Sequence, residues 1–236
     1  MQMTAARGAR LPAAVFFDMD GVILDSEGVW QEAVTVVFGR LGMTLDALMQ
    51  AHTAGMGNQE SIQHVLAQYP QVTADVRDLC RQMDEFVLHR IRQGVGAMPG
   101  ATELIRALHA HGVPLALVST SGPALMQAVI ASHRLQGLFH LVLSSEEVGP
   151  GKPDPAVYRE AVRRLQVPAA RGVAIEDTLN GARSAYGAGL RVLGFTRDVA
   201  VAVAMQPLVC QVAADYTQLR AILLGDGRGS NLDLPV

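Results

Sequence analysis

The pattern that most constrains the fold of this chain is an alternation of short apolar runs with longer amphipathic segments in its second half. Four of the apolar runs have the length and composition of buried strands, at residues 113–118, 140–143, 173–175 and 191–195. Three segments with helical spacing lie between them, at residues 125–133, 154–165 and 179–188. Strands that alternate with helices are joined by right-handed crossovers and form parallel sheets. With a further short apolar run at residues 14–17, the pattern predicts an α/β fold built on a parallel sheet.

The segment between the first apolar run and the rest of this pattern is different, because its apolar side chains are spaced as on helices. The spacing is clear at Val34, Val37, Phe38 and Leu41. The exit of the segment, at residues 94–100, contains glycines and a Pro-Gly turn that suit a hinge. We therefore predict a small helical domain at residues 26–97, inserted into an α/β core at residues 1–25 and 98–236.

Composition and charge exclude several classes of protein. Half of the residues are hydrophobic and 17% are charged, so the chain can bury a large core and is not of a disordered type. The 19 basic and 22 acidic side chains give a net charge of −3, which argues against a nucleic-acid partner.

No apolar stretch approaches the ~18 residues that a membrane-spanning helix requires, and the N-terminus lacks the apolar region of a signal peptide. With two cysteines and no Cys-x-x-Cys pair, we expect buried, reduced thiols and a cytoplasmic protein without a membrane partner.

The first apolar run ends on a pair of carboxylates. Asp18 follows the run directly. Asp20 lies two residues further on, and Gly21 follows Asp20. In an open parallel sheet, ligands bind beyond the carboxyl ends of the strands. Two carboxylates at such a place repel each other unless a cation or a proton lies between them, and Mg²⁺ prefers oxygen ligands and phosphate. The alternative interpretation is a solvated turn, since Asp and Gly are common turn residues.

Two further predicted strands end in polar residues. Ser119, Thr120 and Ser121 follow the second strand, where hydroxyls and loop amides ahead of a helix can bind an anion. Glu176 and Asp177 follow the strand that precedes the third helical segment. Taken singly, the hydroxyls fit an ordinary helix N-cap better than an anion site, and the two acids fit an N-cap equally well.

Lys152 is the only lysine in the chain, whereas the other eighteen basic residues are arginines. It lies between Pro150 and Pro153, which restrict the backbone on either side. An ammonium is a compact point charge, whereas a guanidinium is planar, so the choice of Lys152 suggests that its charge neutralises a specific negatively charged group. The alternative interpretation is an ordinary exposed lysine. Four strand ends that supply carboxylates, hydroxyls and one ammonium together predict an anion site with a divalent cation.

The four motifs, in this order, resemble those of the haloacid dehalogenase-like hydrolase superfamily. They read DMDGVILDS, VSTS, GKPDP and EDTLNG. Within the superfamily the chain is similar to the beta-phosphoglucomutase and sugar-phosphatase branch, over nearly its whole length. The resemblance implies a Rossmann-like parallel-sheet core with a small inserted α-helical cap domain. It also implies Mg²⁺ as the cofactor, a small phosphorylated molecule as the substrate, and a monomer.

The resemblance implies a role for each motif residue by its position. Asp18 corresponds to the nucleophile that forms an aspartyl-phosphate, and Asp20 corresponds to the general acid and base. Ser119 and Lys152 correspond to groups that hold the phosphoryl oxygens. The implied ligands of Mg²⁺ are Asp18, the backbone carbonyl of Asp20, Asp177 and, through water, Glu176.

Substrate contacts are expected both in the helical insertion and in the core. They are Glu27, Gly55, Asn58, Thr120 and Ser121. For Gly55, a turn between two cap helices is the alternative interpretation. Trp30 and Met56 fit packing within the cap as well as they fit contact with a sugar.

The residues also distinguish between the reactions of this superfamily. Haloacid dehalogenases resemble the chain in fold but lack a carboxylate at the place of Asp20, and phosphonatases use a cap lysine that residues 26–97 do not contain. Beta-phosphoglucomutases carry a His near the place of Trp30 and an Arg in the loop at residues 52–60, and this sequence has neither. We therefore favour a phosphatase of hexose phosphates. A phosphoryl-transfer mutase is the alternative, and a non-catalytic binding protein is the third hypothesis.

Overall fold

The computed structural model of the chain describes residues 11–45 and 55–225. Six strands form one parallel sheet in the order β3-β2-β1-β4-β5-β6. They are β1 Ala14–Phe17, β2 Leu115–Ser119, β3 Leu141–Ser144, β4 Gly172–Glu176, β5 Arg191–Phe195 and β6 Gln211–Ala213. The chain winds outwards from β1 first in one direction and then in the other, which is the doubly wound, Rossmann-like arrangement. The predicted α/β fold class is therefore confirmed.

Helices connect the strands and cover both faces of the sheet. In chain order they are α1 Glu27–Gly39, α2 Asn58–Ala67, α3 Val76–Gly94, α4 Ala101–Ala110, α5 Pro123–Ser132, α6 Ala156–Leu165, α7 Leu179–Gly187, α8 Val199–Met205 and α9 Tyr216–Leu224. Two short 3₁₀ turns lie at Ser145–Glu147 and Ala169–Arg171. Among the helices in the described ranges, none combines the length and the apolar character needed to cross a bilayer.

The side chains of β1 alternate between the two faces of the sheet, so the core has two halves. Val15 and Phe17 lie in one cluster with side chains of α4, α5 and α9. Ala14 and Phe16 lie in a second cluster with side chains of α6 and α7. All four side chains are fully buried, as expected for a central parallel strand with both faces covered. The carboxyl end of β1 therefore lies in the middle of one edge of the sheet.

The chain between β1 and α4 contributes the helices α1, α2 and α3, as the spacing of its apolar residues predicts. These helices share a hydrophobic cluster of their own, which includes Phe38, Ile62 and Met83. Val29 of α1 and Ile91 of α3 lie in the core cluster instead, so both helices also pack against the α/β core. The domain boundaries at residues 26 and 97 and the hinge at residues 94–100 stay predictions.

Two expectations from the sequence need correction, and one strand was not predicted. The predicted strands β2, β3 and β4 each end one residue later than expected, because Ser119, Ser144 and Glu176 are still in register with a neighbouring strand. The sequence does not predict β6, since three residues are too few to show alternation. The expectation of two buried thiols is wrong, because Cys210 is exposed and Cys80 is only partly buried.

Candidate active site

The polar residues that follow the strands meet at one edge of the sheet. Asp18 follows β1, Ser119 is the last residue of β2, and Glu176 is the last residue of β4. Because β2 and β4 are the two neighbours of β1, these three motifs lie side by side where the strand order reverses. The remaining motif, which carries Lys152, enters through the loop before α6, where the Lys152–Pro153 peptide bond is cis.

The Lys152 ammonium is buried at this edge and is surrounded by acceptors. Its Nζ donates to Asp18 Oδ1 at 2.5 Å, to Glu176 Oε1 at 2.7 Å and to the Val118 carbonyl at 3.3 Å. Tyr158 of α6 donates its hydroxyl to Glu176 Oε1, and its ring centre lies 5.1 Å from Nζ. Burial disfavours the charge, but the two carboxylates together raise the pKa of Lys152 above its ordinary value. The alternative of an ordinary exposed lysine is therefore wrong.

Three carboxylates crowd together beside this lysine. Asp18, Glu176 and Asp177 each offer an oxygen within 4.8 Å of the others. Burial raises the pKa of Asp18 to about 7 despite the attraction of Lys152, and it raises the pKa of Asp177 well above its ordinary value. Among the described residues, Glu176 Oε2 and Asp177 Oδ1 have no hydrogen-bond partner although both atoms are buried. A cluster of crowded, partly unpaired carboxylate oxygens fits a divalent cation such as Mg²⁺.

Two glycines allow the backbone to approach these carboxylates closely. At Gly21, where φ is +72°, an added Cβ would lie 2.0 Å from Asp177 Oδ2. At Gly181 an added Cβ would lie 1.8 Å from Glu176 Oε2. A side chain at either position would displace a carboxylate of the cluster, so the glycines of the first and fourth motifs have a steric role.

The Asp20 carboxylate has a different set of partners. Its Oδ1 accepts hydrogen bonds from Ser26 Oγ and Trp30 Nε1, both at 2.7 Å, and its Oδ2 accepts one from Ser121 Oγ at 2.8 Å. Ser121 is itself held by Ser144 Oγ, which donates to the Ser121 carbonyl at 2.9 Å. The predicted acid and base is therefore oriented by α1 on one side and by the loop after β2 on the other.

A cavity of about 820 Å³ opens over these residues. Its lining includes Asp18, Asp20, Thr120, Ser121, Lys152 and Asp177 from the core, and Glu27, Trp30, Gly55, Met56 and Asn58 from the helical segment. Ser119 and Glu176 are almost wholly buried, at 1% and 0% exposure. The five residues predicted to contact the substrate thus line one cavity, whose size suits a small metabolite.

The loop before α2 contacts the core around the site. Gly55, with φ of +75°, lies so near Thr178 that an added Cβ would be 2.3 Å from Thr178 Oγ1. Thr120 Oγ1 lies 3.5 Å from the carbonyl oxygen of Met56, the residue after Gly55. The Gly151 amide, next to the lone lysine, donates to Glu60 Oε1 at 3.1 Å. The loop before α2 and the first turn of α2 therefore contact three of the four motif loops, and Trp30 of α1 contacts the remaining one.

The amide of Asn58 is engaged within the helical segment. Its Nδ2 donates to Asp84 Oδ1 of α3 at 2.6 Å.

Burial raises the pKa of Asp84 from 3.8 to about 6, and the negative charge of Glu146 adds to the effect. Because the pKa is raised in the folded chain, ionisation of Asp84 opposes folding. The stability that this carboxyl contributes is complete below about pH 4 and is lost as the pH rises through about 6.

Replacing Asp84 with Asn should therefore stabilise the protein at neutral pH. The amide cannot ionise, yet its carbonyl still accepts from Asn58. We expect the melting temperature of D84N to exceed that of the wild type near pH 7.5, by the equivalent of about 1 kcal/mol, and to match it near pH 4. Asp78→Asn on the same helix is the matched control. It should destabilise instead, because hydrogen bonds from Arg81 lower the pKa of Asp78. Equal melting temperatures of D84N and the wild type near pH 7.5 would contradict this expectation.

Three residues of the site were not assigned from the sequence. Tyr158 binds Glu176, but a tyrosine on an amphipathic helix carries no distinguishing signal. Glu60 binds the lysine loop, but acids are common in the first turn of a helix. The sequence suggests cap packing or sugar contact for Trp30, and its hydrogen bond to the first motif is visible only in the structure.

Comparison with known proteins places this arrangement in a family. Fold and site together define an α/β protein in which buried carboxylates and one ammonium meet at the switch point of the sheet. The family model of haloacid dehalogenase-like hydrolases matches residues 12–189. The chain belongs to the haloacid dehalogenase-like hydrolase family, and the prediction of an enzyme of this family from its four motifs is confirmed.

Two curated relatives show how far the similarity extends. Protein CbbY of Cereibacter sphaeroides is 30% identical over 189 residues, which cover 76% of this chain and 82% of that protein. The bifunctional riboflavin kinase/FMN phosphatase of Arabidopsis thaliana is 28% identical over 191 residues. That match covers 78% of this chain but 48% of the Arabidopsis protein, so the chain spans about half of its length.

Two solved structures share the fold. A CbbY variant from Rhodobacter sphaeroides, in complex with xylulose (1,5)-bisphosphate, has a TM-score of 0.72 and 26% identity over 89% of this chain and 96% of that one. Beta-phosphoglucomutase from Clostridium difficile has a TM-score of 0.78 over 89% of this chain and 93% of that one. Its identity of 18% shows a likeness of fold alone. Of the two, the CbbY variant agrees with the branch of the family that the motifs predict.

Proposed function

We propose that this chain is a Mg²⁺-dependent phosphoric monoester hydrolase that acts on a small phosphorylated metabolite through an aspartyl-phosphate. A hexose phosphate or a similar sugar phosphate is the substrate that we favour. The observation that carries the proposal is the contact of the buried Lys152 ammonium with Asp18, at 2.5 Å, beside a cavity that Asp20 also lines. A nucleophile, an acid and a fixed cation thus converge on a space that can hold a phosphoryl group.

In the first step of this reaction, an oxygen of Asp18 attacks the phosphorus atom. The bond between phosphorus and the ester oxygen breaks as the bond to Asp18 forms. The leaving oxygen takes a proton from Asp20, so the product departs as a neutral alcohol. Lys152 offsets the charge of Asp18 as the anionic substrate approaches. Together with Ser119 and the loop after β2, it holds the phosphoryl oxygens.

In the second step, water displaces Asp18 from phosphorus and releases inorganic phosphate. Asp20, which is now ionised, takes a proton from the attacking water, and both carboxyls return to their starting states. The hydrogen bonds that Asp20 accepts from Ser26, Trp30 and Ser121 support one orientation of this carboxyl for both steps.

Mg²⁺ fits the cluster of Asp18, Glu176 and Asp177, since carboxylate oxygens are its preferred ligands and two of them are buried without a partner among the described residues. We assign ligation to Asp18, to Asp177 and to the Asp20 carbonyl, with Glu176 acting through water. When bound, the ion supplies positive charge that stabilises the phosphoryl-transfer transition state.

The substrate preference rests on the part of the cavity that the helical segment forms. Glu27, Gly55 and Asn58 line it, and we assign them to the sugar. A CbbY variant that shares the fold binds a sugar bisphosphate, which supports a sugar phosphate here. A mutase is disfavoured because residues 55–60 contain no arginine that could bind a second phosphate. A non-catalytic protein is disfavoured by the complete set of acids.

A panel of sugar phosphates, together with p-nitrophenyl phosphate, tests the proposal. We expect release of inorganic phosphate that EDTA abolishes and excess Mg²⁺ restores. A coupled assay from beta-glucose 1-phosphate to glucose 6-phosphate separates the alternative, because a mutase would release little phosphate. Turnover that survives EDTA would contradict the metal assignment. The absence of phosphate release from every ester would contradict the hydrolase.

A further inference from the structure

Trp30 is the only tryptophan in the chain, and it donates a hydrogen bond to the proposed acid and base. Its Nε1 lies 2.7 Å from Asp20 Oδ1, within the usual range for such a bond. Trp30 belongs to α1, whereas Asp20 belongs to the loop after β1. The contact therefore joins the helical segment to the loop that carries the first motif.

The chemistry of the indole distinguishes this contact from the two serine contacts. An indole N–H can only donate, whereas a serine hydroxyl can donate or accept. Asp20 Oδ1 must therefore remain an acceptor whether or not the carboxyl carries a proton. Ser121 Oγ, at 2.8 Å from Asp20 Oδ2, can become the acceptor when that oxygen is protonated. This leaves Oδ2 as the oxygen that can carry the transferred proton.

We propose that Trp30 is a positioning residue that fixes the rotation of the Asp20 carboxyl, so that Oδ2 gives its proton to the leaving oxygen and then takes one from water. This inference rests on the proposed hydrolase reaction and adds to it the residue that aims the acid and base. The ring of Trp30 also packs against the core cluster and against the cluster of the helical segment. A phenylalanine would retain most of that packing, so Trp30→Phe chiefly removes the N–H donor.

A comparison of two substrates with different leaving groups shows whether Asp20 is correctly oriented for proton transfer. p-Nitrophenolate departs without a proton, so W30F should still form the aspartyl-phosphate rapidly from p-nitrophenyl phosphate. Hydrolysis of that intermediate needs Asp20 and should be slow. The result is a burst of about one p-nitrophenolate per enzyme molecule, followed by a slow steady state. With glucose 6-phosphate both steps need Asp20, and kcat should fall by about 10–100-fold while KM stays within about threefold.

Two variants distinguish the loss of the hydrogen bond to Asp20 from a loss of packing around α1. Trp30→His should recover most of the lost kcat, because an imidazole N–H can donate to the same oxygen. Val29→Ala is the matched control on the same helix, since Val29 is buried in the core cluster. V29A should lower the melting temperature without a burst. A burst in V29A would attribute the effect to the packing of α1 and overturn the proposal. An unchanged kcat of W30F on glucose 6-phosphate would overturn it as well.

Fluorescence tests the contact without any turnover, because the emission of a sole tryptophan reports on Trp30 alone. We expect Asp20→Ala to change the emission maximum or intensity. Identical emission in D20A and the wild type would show that the contact is absent in solution. That outcome would overturn the role of Trp30 even if the enzyme is an active phosphatase. A change in emission combined with no phosphatase activity of the wild type would instead overturn the proposed function, and the role of Trp30 with it.

Discussion

Lys152→Arg is expected to lower kcat by about 10²–10³-fold although it conserves the charge. The ammonium is 2% exposed and donates to three acceptors, on Asp18, Glu176 and Val118. The three N–H groups of an ammonium can point towards all three, whereas a guanidinium is planar, larger and set further from the backbone. Because the carboxylates of Asp18 and Glu176 already lie 2.5 Å and 2.7 Å from Nζ, the larger group would displace Asp18 from its position of attack.

Steady-state kinetics on a sugar phosphate, together with melting temperatures, measure this effect. Arg164→Lys is the matched control, because it exchanges the same two side chains at a partly exposed position of α6. It should leave kcat unchanged. Activity of K152R within about threefold of the wild type would mean that the site needs only a positive charge. The rarity of lysine in this chain would then have no functional reason.

Much of the site could be predicted because parallel strands share an edge. Asp18, Ser119 and Glu176 each stand at the end of an apolar run. Neighbouring parallel strands bring such ends together whatever the loops between them do. Lys152 could be predicted for a different reason, since its side-chain type is unique in the chain and its loop is flanked by prolines.

The partners of these residues could not be predicted, because they depend on packing between distant segments. Glu60 and the Gly151 amide are 91 positions apart, and no local pattern encodes how α2 lies against the lysine loop. Trp30 and Asp20 are ten positions apart, but the start of α1 must turn the indole back towards the first motif. The same reason applies to β6, whose three residues are defined by pairing with β5.

The largest loss of activity is expected for Asp18→Asn, at about 10⁴-fold or more in kcat, because it removes the proposed nucleophile. The amide is similar in shape and its oxygen can still accept from Lys152, which also keeps its contact with Glu176. The variant should therefore remain folded and bind substrate. Intact-protein mass spectrometry after rapid quenching should show a phosphorylated chain in the wild type and none in D18N.

Asp20→Asn is the matched comparison, because it makes the same change two positions further on and leaves the nucleophile in place. With p-nitrophenyl phosphate, D20N should become phosphorylated, since the leaving group needs no proton. It should then hydrolyse the intermediate slowly, since no carboxylate takes a proton from water. Opposite results in the two variants would therefore identify which carboxylate attacks and which transfers protons. Phosphorylation of D18N, or its absence in D20N, would contradict that assignment. The same geometry would then require another residue at the cavity as the nucleophile.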